Sequence, residues 1–539
     1  MRVTHKYDAI VLGAGFAGLY AIHAMRQRGF SVHGFEAADD VGGVWYWNRY
    51  PGARCDVESL QYSFSFSKEL EQEWEWSERF AAQPEILAYI KHVADRFDLC
   101  RYISFETRVE SAIWDEDRAR WTVTTDRGDE WDAAFCIMAS GSLSVSRLPD
   151  LSGLTTFKGE TVHTGMWPDR PIAYANKKVA VIGTGSSGIQ AIPVIAEQAK
   201  QLTVFQRTPN FVIPARNGPL AQEKQKTWKA QYEHWRARAR EVGTLYEFAS
   251  QGALDVTEAE RIAEYERRWA MGGVNFVHSF NNIYTDAAAN KTAADFVRAK
   301  IRSIVKDPTT AEKLCPTDHP LGSKRICVGS NYFETYNRSN VALIDIREEP
   351  IVEIQPDGIK TSRQVYPVDL IVFATGYDAL TGALTRINIH GRNGVALRDK
   401  WNKGPKNYLG LMTAGFPNMF VITGPGSPSA LVNMIVGIEH HVDWIAECLV
   451  YLRDKEIDRI DVEPEAEDQW VAHVNESADK TLFVKANSWY LGANVPGKPR
   501  VFMLYTGGLK KYREICDDVA KAQYRGFQLS QTTQRKRAL

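Results

Sequence analysis

Two hydrophobic periods alternate along this chain, and the strand-like one comes first. YDAIVL at 7–12 is a β-rich apolar run of the length of a buried parallel strand. It leads into GAGFAG at 13–18, a helical stretch to about Arg28, and a second strand, SVHGFE, ending at Glu36. The succession returns at KVAVI (178–182), GTGSSG (183–188), a helix through about Ala199, and LTVFQ. Two more apolar runs, CIMASG at 136–141 and VDLIVFA at 368–374, end in small residues, the second in Thr375-Gly376-Tyr377. Small residues there let backbone come close to a ligand or to another turn. The repeated strand–turn–helix–strand unit predicts an α/β fold with two Rossmann-like dinucleotide-binding domains.

Between 216 and 324 the period lengthens to that of helices. Trp228, Tyr232 and Trp235 recur at i, i+4 and i+7 on one face of a charged stretch. Thr257 and Glu260 have capping-box spacing ahead of a stripe of Ile262, Tyr265 and Trp269, with Gly272-Gly273 beyond its end. A third helix is expected over 287–306, stopped by Asp307-Pro308. These stripes read as core, and the segment as a helical insertion. The expected division is a first nucleotide domain in 1–148 and 383–539, a second in 149–215 and 325–382, and the insertion at 216–324. Residues after about 528 read as a frayed polar tail.

The two glycine turns differ in their partners. Gly13, Gly15 and Gly18 serve a tight turn, close approach to a pyrophosphate, and helix–strand packing. Glu36 lies at about the 20-residue offset where a carboxylate accepts a bond from a ribose hydroxyl. Gly183, Gly185 and Gly188 repeat the turn, but the strand after them ends in Arg207-Thr208. A carboxylate there would repel a 2′-phosphate, whereas an arginine pairs with it. The first site therefore suits FAD and the second NADPH, with electrons passed from one to the other.

At 539 residues the chain is too long for one simple core, and a formal charge of −1 gives no reason to invoke nucleic acid or an anionic membrane. Its 7 cysteines are scattered with no CxxC pair, so neither a metal site nor a disulfide framework is indicated. No leader precedes the first strand, and no apolar run approaches the ~20 residues of a membrane span. The expectation is a soluble cytoplasmic protein with no obligate protein partner.

Three segments carry a family likeness. F-x-G-x-x-x-H-x-x-x-W-P-D is filled by Phe157, Gly159, His163, Trp167, Pro168 and Asp169. GGVWYWNRYPGARCD at 42–56 supplies Gly43, Trp45, Tyr50, Pro51, Gly52 and Asp56. GPGSPSALVNM at 424–434 precedes SWYLGANVPGKPRVFMLYTGG at 488–508. On these segments the whole chain resembles the Baeyer–Villiger monooxygenases, within them the phenylacetone, steroid and cyclohexanone branch, and closest the phenylacetone-oxidising members.

The resemblance implies that NADPH reduces FAD, that O2 gives a C4a-peroxyflavin, and that a ketone becomes an ester or lactone, with sulfide oxidation as a side activity. It assigns Arg325 to the fixed positive charge such chemistry needs, Asp56 to holding that arginine, and Lys324 with Arg207 and Thr208 to the 2′-phosphate. Gly43 and Trp45 fall to the cofactor side, and Ser429-Ala430 and Trp489 to the substrate pocket; for Trp45 and Trp489 core packing is the competing reading. His163 is open to two readings, general base or coupling between the domains. An amine- or sulfide-oxidising flavin monooxygenase would lack the Trp-Pro-Asp ending, a disulfide reductase would need a cysteine beside Cys55, and an idle NADPH sensor would have no use for Arg325 and Asp56.

Overall fold

The computed structural model describes residues 5–246 and 248–531. Strand His5–Leu12, fully buried over its last four residues, is flanked in parallel by Val32–Phe35 and Glu130–Met138. Ile103–Ser104 extends this sheet on one side; Arg120–Thr125, Val109–Asp115 and Asn388–His390 extend it on the other, and Met419–Val421 also pairs with Glu130–Met138. A second, five-stranded sheet runs in the order Val341–Asp345, Gln201–Gln206, Lys178–Ile182, Leu370–Phe373, Glu160–His163, and is parallel throughout. Parallel strands covered on both faces need continuous apolar runs, and VAVI, LTVF and LIVF supply them. Each glycine turn thus lies at the carboxyl end of a central strand, where open α/β sheets bind ligands.

Helix Phe16–Gln27 leaves the first turn and packs against Met434–Asp454. Helix Ser186–Gln198 leaves the second. Between strands Val212–Pro214 and Cys327–Gly329, which pair in parallel, the chain is helical at Gln222–Lys229, Tyr232–Val242, Glu258–Met271, Ala287–Ile304 and Pro308–Leu314.

Some expectations need correction here. Trp228 and Trp235 belong to two helices separated by a break at Ala230-Gln231, not to one; their rings still stack, 4.8 Å apart, across it. The capping box forms as expected, Thr257 accepting from the Glu260 amide and Glu260 from the Thr257 amide, and Gly272 ends that helix. Ile262 is 46% exposed, so Tyr265 and Trp269 carry the buried stripe without it. Asp307 does more than stop a helix: its carboxylate caps the next one through the Thr310 amide, with Pro308 in its first turn. Part of the supposed tail is ordered, because Phe527–Ser530 pairs antiparallel with Arg459–Val462; residues 532–539 lie outside the described residues.

Candidate active site

The first glycine turn is closed by packing. A methyl on Gly18 would sit 1.8 Å from the Gly13 carbonyl oxygen, and one on Gly43 2.9 Å from the Gly15 Cα. Glu36 is buried beside this turn, its two oxygens accepting from the Ala14 and Ala38 amides at 2.8 and 2.9 Å. Burial raises its pKa against those bonds.

The second turn is open where the first is closed. A methyl on Gly188 would sit 2.3 Å from the Gly183 oxygen, but one on Gly185 would meet no protein atom within 4 Å. Its φ of −80° is open to any residue, so neither backbone nor packing demands glycine there. Space kept for a phosphate at the helix N-terminus explains it, and the residues present therefore fit a dinucleotide. Arg207 is exposed at the end of strand Gln201–Gln206, and the Thr208 carbonyl accepts from Thr184 Oγ1 at 3.0 Å. Lys324 is half-buried; burial lowers its pKa, Asp318 opposes, and the charge of Arg207 adds to the lowering.

The fingerprint residues fasten the two sheets together. The Trp167 amide donates to the Trp47 carbonyl at 3.2 Å, and exposed Asp169 pairs with Arg49. Tyr377, which follows strand Leu370–Phe373, donates its hydroxyl to Asn48. The Tyr50 hydroxyl donates to Gln190 Oε1 at 2.8 Å on the second turn's helix, whose Gln190 carbonyl lies 2.4 Å from where a Gly52 methyl would be. Phe157 packs on the small cluster around Ile354, and a side chain at Gly159 would strike the Asp369 carbonyl at 2.5 Å.

His163 sits inside this lock. It is buried, accepts the Gly165 amide on Nδ1 at 2.9 Å, and shares its Nε2 with Thr375 Oγ1 at 3.3 Å. Burial pushes its pKa down to about 4. Both nitrogens are engaged within the second unit, and a ring with so low a proton affinity is a weak base at neutral pH.

The convergent charge lies at Arg325. Its Nε and Nη2 donate to the two oxygens of Asp56 at 2.7 and 2.8 Å, a bidentate fork, and Nη1 donates to the Ala430 carbonyl at 2.6 Å. Although burial pulls the other way on both, the pair holds Asp56 below the ordinary carboxylate value and Arg325 above its own. Buried Ser429, with φ +39°, has a hydroxyl without a partner next to that carbonyl. Trp489 packs edge-on to Tyr490, and burial pushes the Tyr490 pKa up to about 12 against the lowering influence of Arg325 beside it. Trp45 donates its indole N–H to the Tyr62 hydroxyl at 3.1 Å from the far side. Sequence reasoning missed Tyr490, Asn48 and Arg49. The first stands in the quoted SWYLGAN segment and the other two in the 42–56 segment, but nothing local sets them apart.

Residues 6–218 match the family of flavin-binding monooxygenase-like proteins. A Baeyer–Villiger monooxygenase of Pseudooceanicola batsensis is 42% identical over 524 residues, 96% of this chain and 95% of that protein. A phenazine N-monooxygenase of Lysobacter antibioticus is also 42% identical, over 97% of each chain. The solved structure of an oxidised steroid monooxygenase bound to NADP superposes with a TM-score of 0.93 at 53% identity, covering 97% of this chain and 99% of that one. With likeness of that degree along nearly its whole length, the chain belongs to the Baeyer–Villiger monooxygenase family.

Proposed function

We propose that the protein uses NADPH and O2 to insert an oxygen beside a ketone carbonyl, giving an ester or lactone. The observation that carries the reading is the Asp56–Arg325 fork, which fixes a permanent positive charge where the two nucleotide units meet. FAD at the first turn would take hydride from NADPH at the second and activate dioxygen. The chain's own residues do the rest. Asp56 holds the Arg325 guanidinium, so that it meets the negative charge developing on the ketone oxygen with no reorganisation at the moment of reaction. Ala430, through its carbonyl, fixes the guanidinium's other edge, and Ser429, Ala430 and Trp489 shape the space for the ketone. Arg207, Thr208 and Lys324 select the 2′-phosphate. His163, Trp167 and Asp169 hold the junction.

The five-segment division of the chain belongs to the same proposal. Sheet membership supports it: strands up to residue 138 and from 388 to 421 share one sheet, and Glu160–His163, Lys178–Ile182, Gln201–Gln206, Val341–Asp345 and Leu370–Phe373 share another, with a small antiparallel sheet at 351–367 between its last two; helices fill the stretch between 222 and 314. Cytoplasmic residence is likewise proposed, supported by the seven unpaired cysteines. No helix among the described residues is long and apolar enough to cross a membrane.

The test is one incubation of purified protein with NADPH, O2 and a panel of aryl and cyclic ketones, amines and sulfides, scored by mass spectrometry. Ketone products heavier by one oxygen support the proposal. Oxygenation of amines or sulfides alone refutes it, and would match the N-oxygenating relative instead.

A further inference from the structure

Arg147 lies outside every motif, on the segment that follows strand Glu130–Met138. Its backbone is pinned to the carboxyl end of the second sheet: the amide donates to the Gly376 carbonyl at 3.0 Å and its own carbonyl accepts from Thr375 Oγ1. The neighbouring Ala374 carbonyl is the atom against which Gly183 of the second turn packs, 2.4 Å from where a methyl would be. Arg147 therefore sits beside the dinucleotide cradle.

Three cations gather there. Burial, and then the positive charge of Arg207, depress the proton affinity of Arg147, and the charge of Arg207 also bears on Lys324. Among the described residues none of the three is in an ion pair; Asp378 is taken by Lys498 at 2.6 Å, and Asp318 by His319 at 2.6 Å. Like charges brought together with no carboxylate paired to any of them leave a site for an anion.

Arg147 has a second contact. Its Nη1 donates to the carbonyl of Asn494, in the 488–500 loop that carries Trp489 and Tyr490. The Asn494 amide donates in turn to the Tyr377 carbonyl at 2.7 Å, and Lys498 to the Ala379 carbonyl at 2.9 Å. The Asn494 Oδ1 is buried without a partner, an acceptor awaiting a donor such as a ribose hydroxyl or carboxamide. One of the five N–H groups of Arg147 is spent on the loop, which leaves the guanidinium able to hold a phosphate at the same time.

We infer that Arg147 is a further binding residue for the nicotinamide dinucleotide, contacting one of its phosphates and tying the 488–500 loop to that bound phosphate through the Asn494 carbonyl. The inference rests on the second turn holding NADPH. It adds a third cation to Arg207 and Lys324 and makes the loop that reaches Arg325 part of the coenzyme site.

The test uses purified FAD-loaded protein: wild type, Arg147→Gln, Arg147→Lys and Arg207→Ala. Each is titrated calorimetrically with NADP+ and NAD+, and trypsin cleavage after exposed Lys485 and Arg500 is followed with and without saturating NADP+. For Arg147→Gln the Kd for NADP+ should rise roughly tenfold or more, the loss of one charge-assisted bond, with FAD content unchanged and much of the affinity restored by Lys. NADP+ should slow cleavage in the wild type and do so less in Arg147→Gln. A rise for NADP+ alone assigns Arg147 to the 2′-phosphate, and a rise for both coenzymes to the pyrophosphate; either supports the inference. If Arg207→Ala weakens binding while Arg147→Gln stays within about twofold of wild type, as a neutral surface change would, the inference falls and the reading of the second turn stands. Equal protection of the loop in both proteins refutes the tie to Asn494. Failure of the wild type to bind NADP+ overturns both readings.

Discussion

Arg325→Ala removes a guanidinium that Asp56 holds by bonds of 2.7 and 2.8 Å and that spans to the Ala430 carbonyl at 2.6 Å. Two losses follow, and they differ in kind. Removing one preorganised donor from a developing oxyanion costs ~2.7–4 kcal/mol, or about 10²–10³ in rate. Leaving a buried charge without its partner costs about 3–5 kcal/mol of stability, and with side chains still 29% and 20% exposed the lower end, ~3 kcal/mol, applies. Asp56 relieves part of that by protonating more readily, because burial raises its pKa and Arg325 is the main cause that lowers it. The paired state itself is insensitive to ordinary pH. Its contribution is complete above the unfolded carboxylate pKa near ~3.9 and is lost only as pH falls through the lower folded value, so the defect should be the same at neutral and mildly alkaline pH. The assay measures ester formed per NADPH consumed, FAD content and melting temperature together. Yellow, folded Arg325→Ala should oxidise NADPH and release hydrogen peroxide while ester falls by that factor, and Arg325→Lys, which keeps the charge without the fork, should recover part of it. Ester formation by FAD-replete Arg325→Ala within about tenfold of wild type would refute the reasoning.

Gly185→Ala adds a methyl that meets no protein atom within 4 Å, so melting should shift by no more than ~1 kcal/mol of stability for the altered helix cap, while calorimetry shows NADP+ binding greatly weakened. Gly18→Ala, whose methyl would lie 1.8 Å from the Gly13 oxygen, should yield no folded flavoprotein at all, and recovery of soluble yellow protein would contradict this. Buried His163 and His278 are held at about 4 and His441 at about 3, all by burial. The unfolded chain binds the extra protons below ~6.5, so stability should drop as pH falls from there toward 4, by up to ~3 kcal/mol per ring. Thermal melts from pH 8 to 4.5 should show that slope, and His163→Gln should flatten it.

Much of the fold is written locally. The apolar runs before each glycine turn become central strands because a parallel strand covered on both faces tolerates little else, and the capping box needs only four adjacent residues. What the sequence hides is settled at long range. The spacing of Trp228 and Trp235 fits one helix, yet two helices satisfy it, because ring stacking rewards proximity whether or not backbone bonds run through. Residues 529 and 530 look like tail until, as the end of strand Phe527–Ser530, they find an edge at Arg459–Val462. The site divides in the same way. The glycines and Arg207 are legible from strand-end chemistry, whereas Arg325 is one arginine among many until it meets Asp56, 269 positions away, and only the family likeness singled it out. Tyr490, Asn494 and Arg147 had no local signal, since their importance lies in what they touch.

That long-range pairing has a mechanical meaning. Asp56 ends the segment that follows the first turn, and Arg325 stands just before strand Cys327–Gly329, which pairs with the chain leaving the second sheet. The fork therefore exists only when the two nucleotide units are docked. Docking depends on a few contacts between the 42–56 segment and the second unit: Tyr50 to Gln190, Trp167 to Trp47, Tyr377 to Asn48, and Arg49 to Asp169. None of these touches either glycine turn, so loosening one should spare the affinity for each nucleotide and disturb the charge between them. Tyr50→Phe deletes one part-buried hydroxyl bond and leaves Gln190 Oε1 with only the Arg54 amide at 3.4 Å, a cost of about 1 kcal/mol borne by the interface. FAD content and NADP+ affinity should then stay at wild-type values while more NADPH is consumed per ester formed. If coupling is unchanged and coenzyme affinity falls instead, the junction serves binding, and the positive charge at Arg325 does not depend on it.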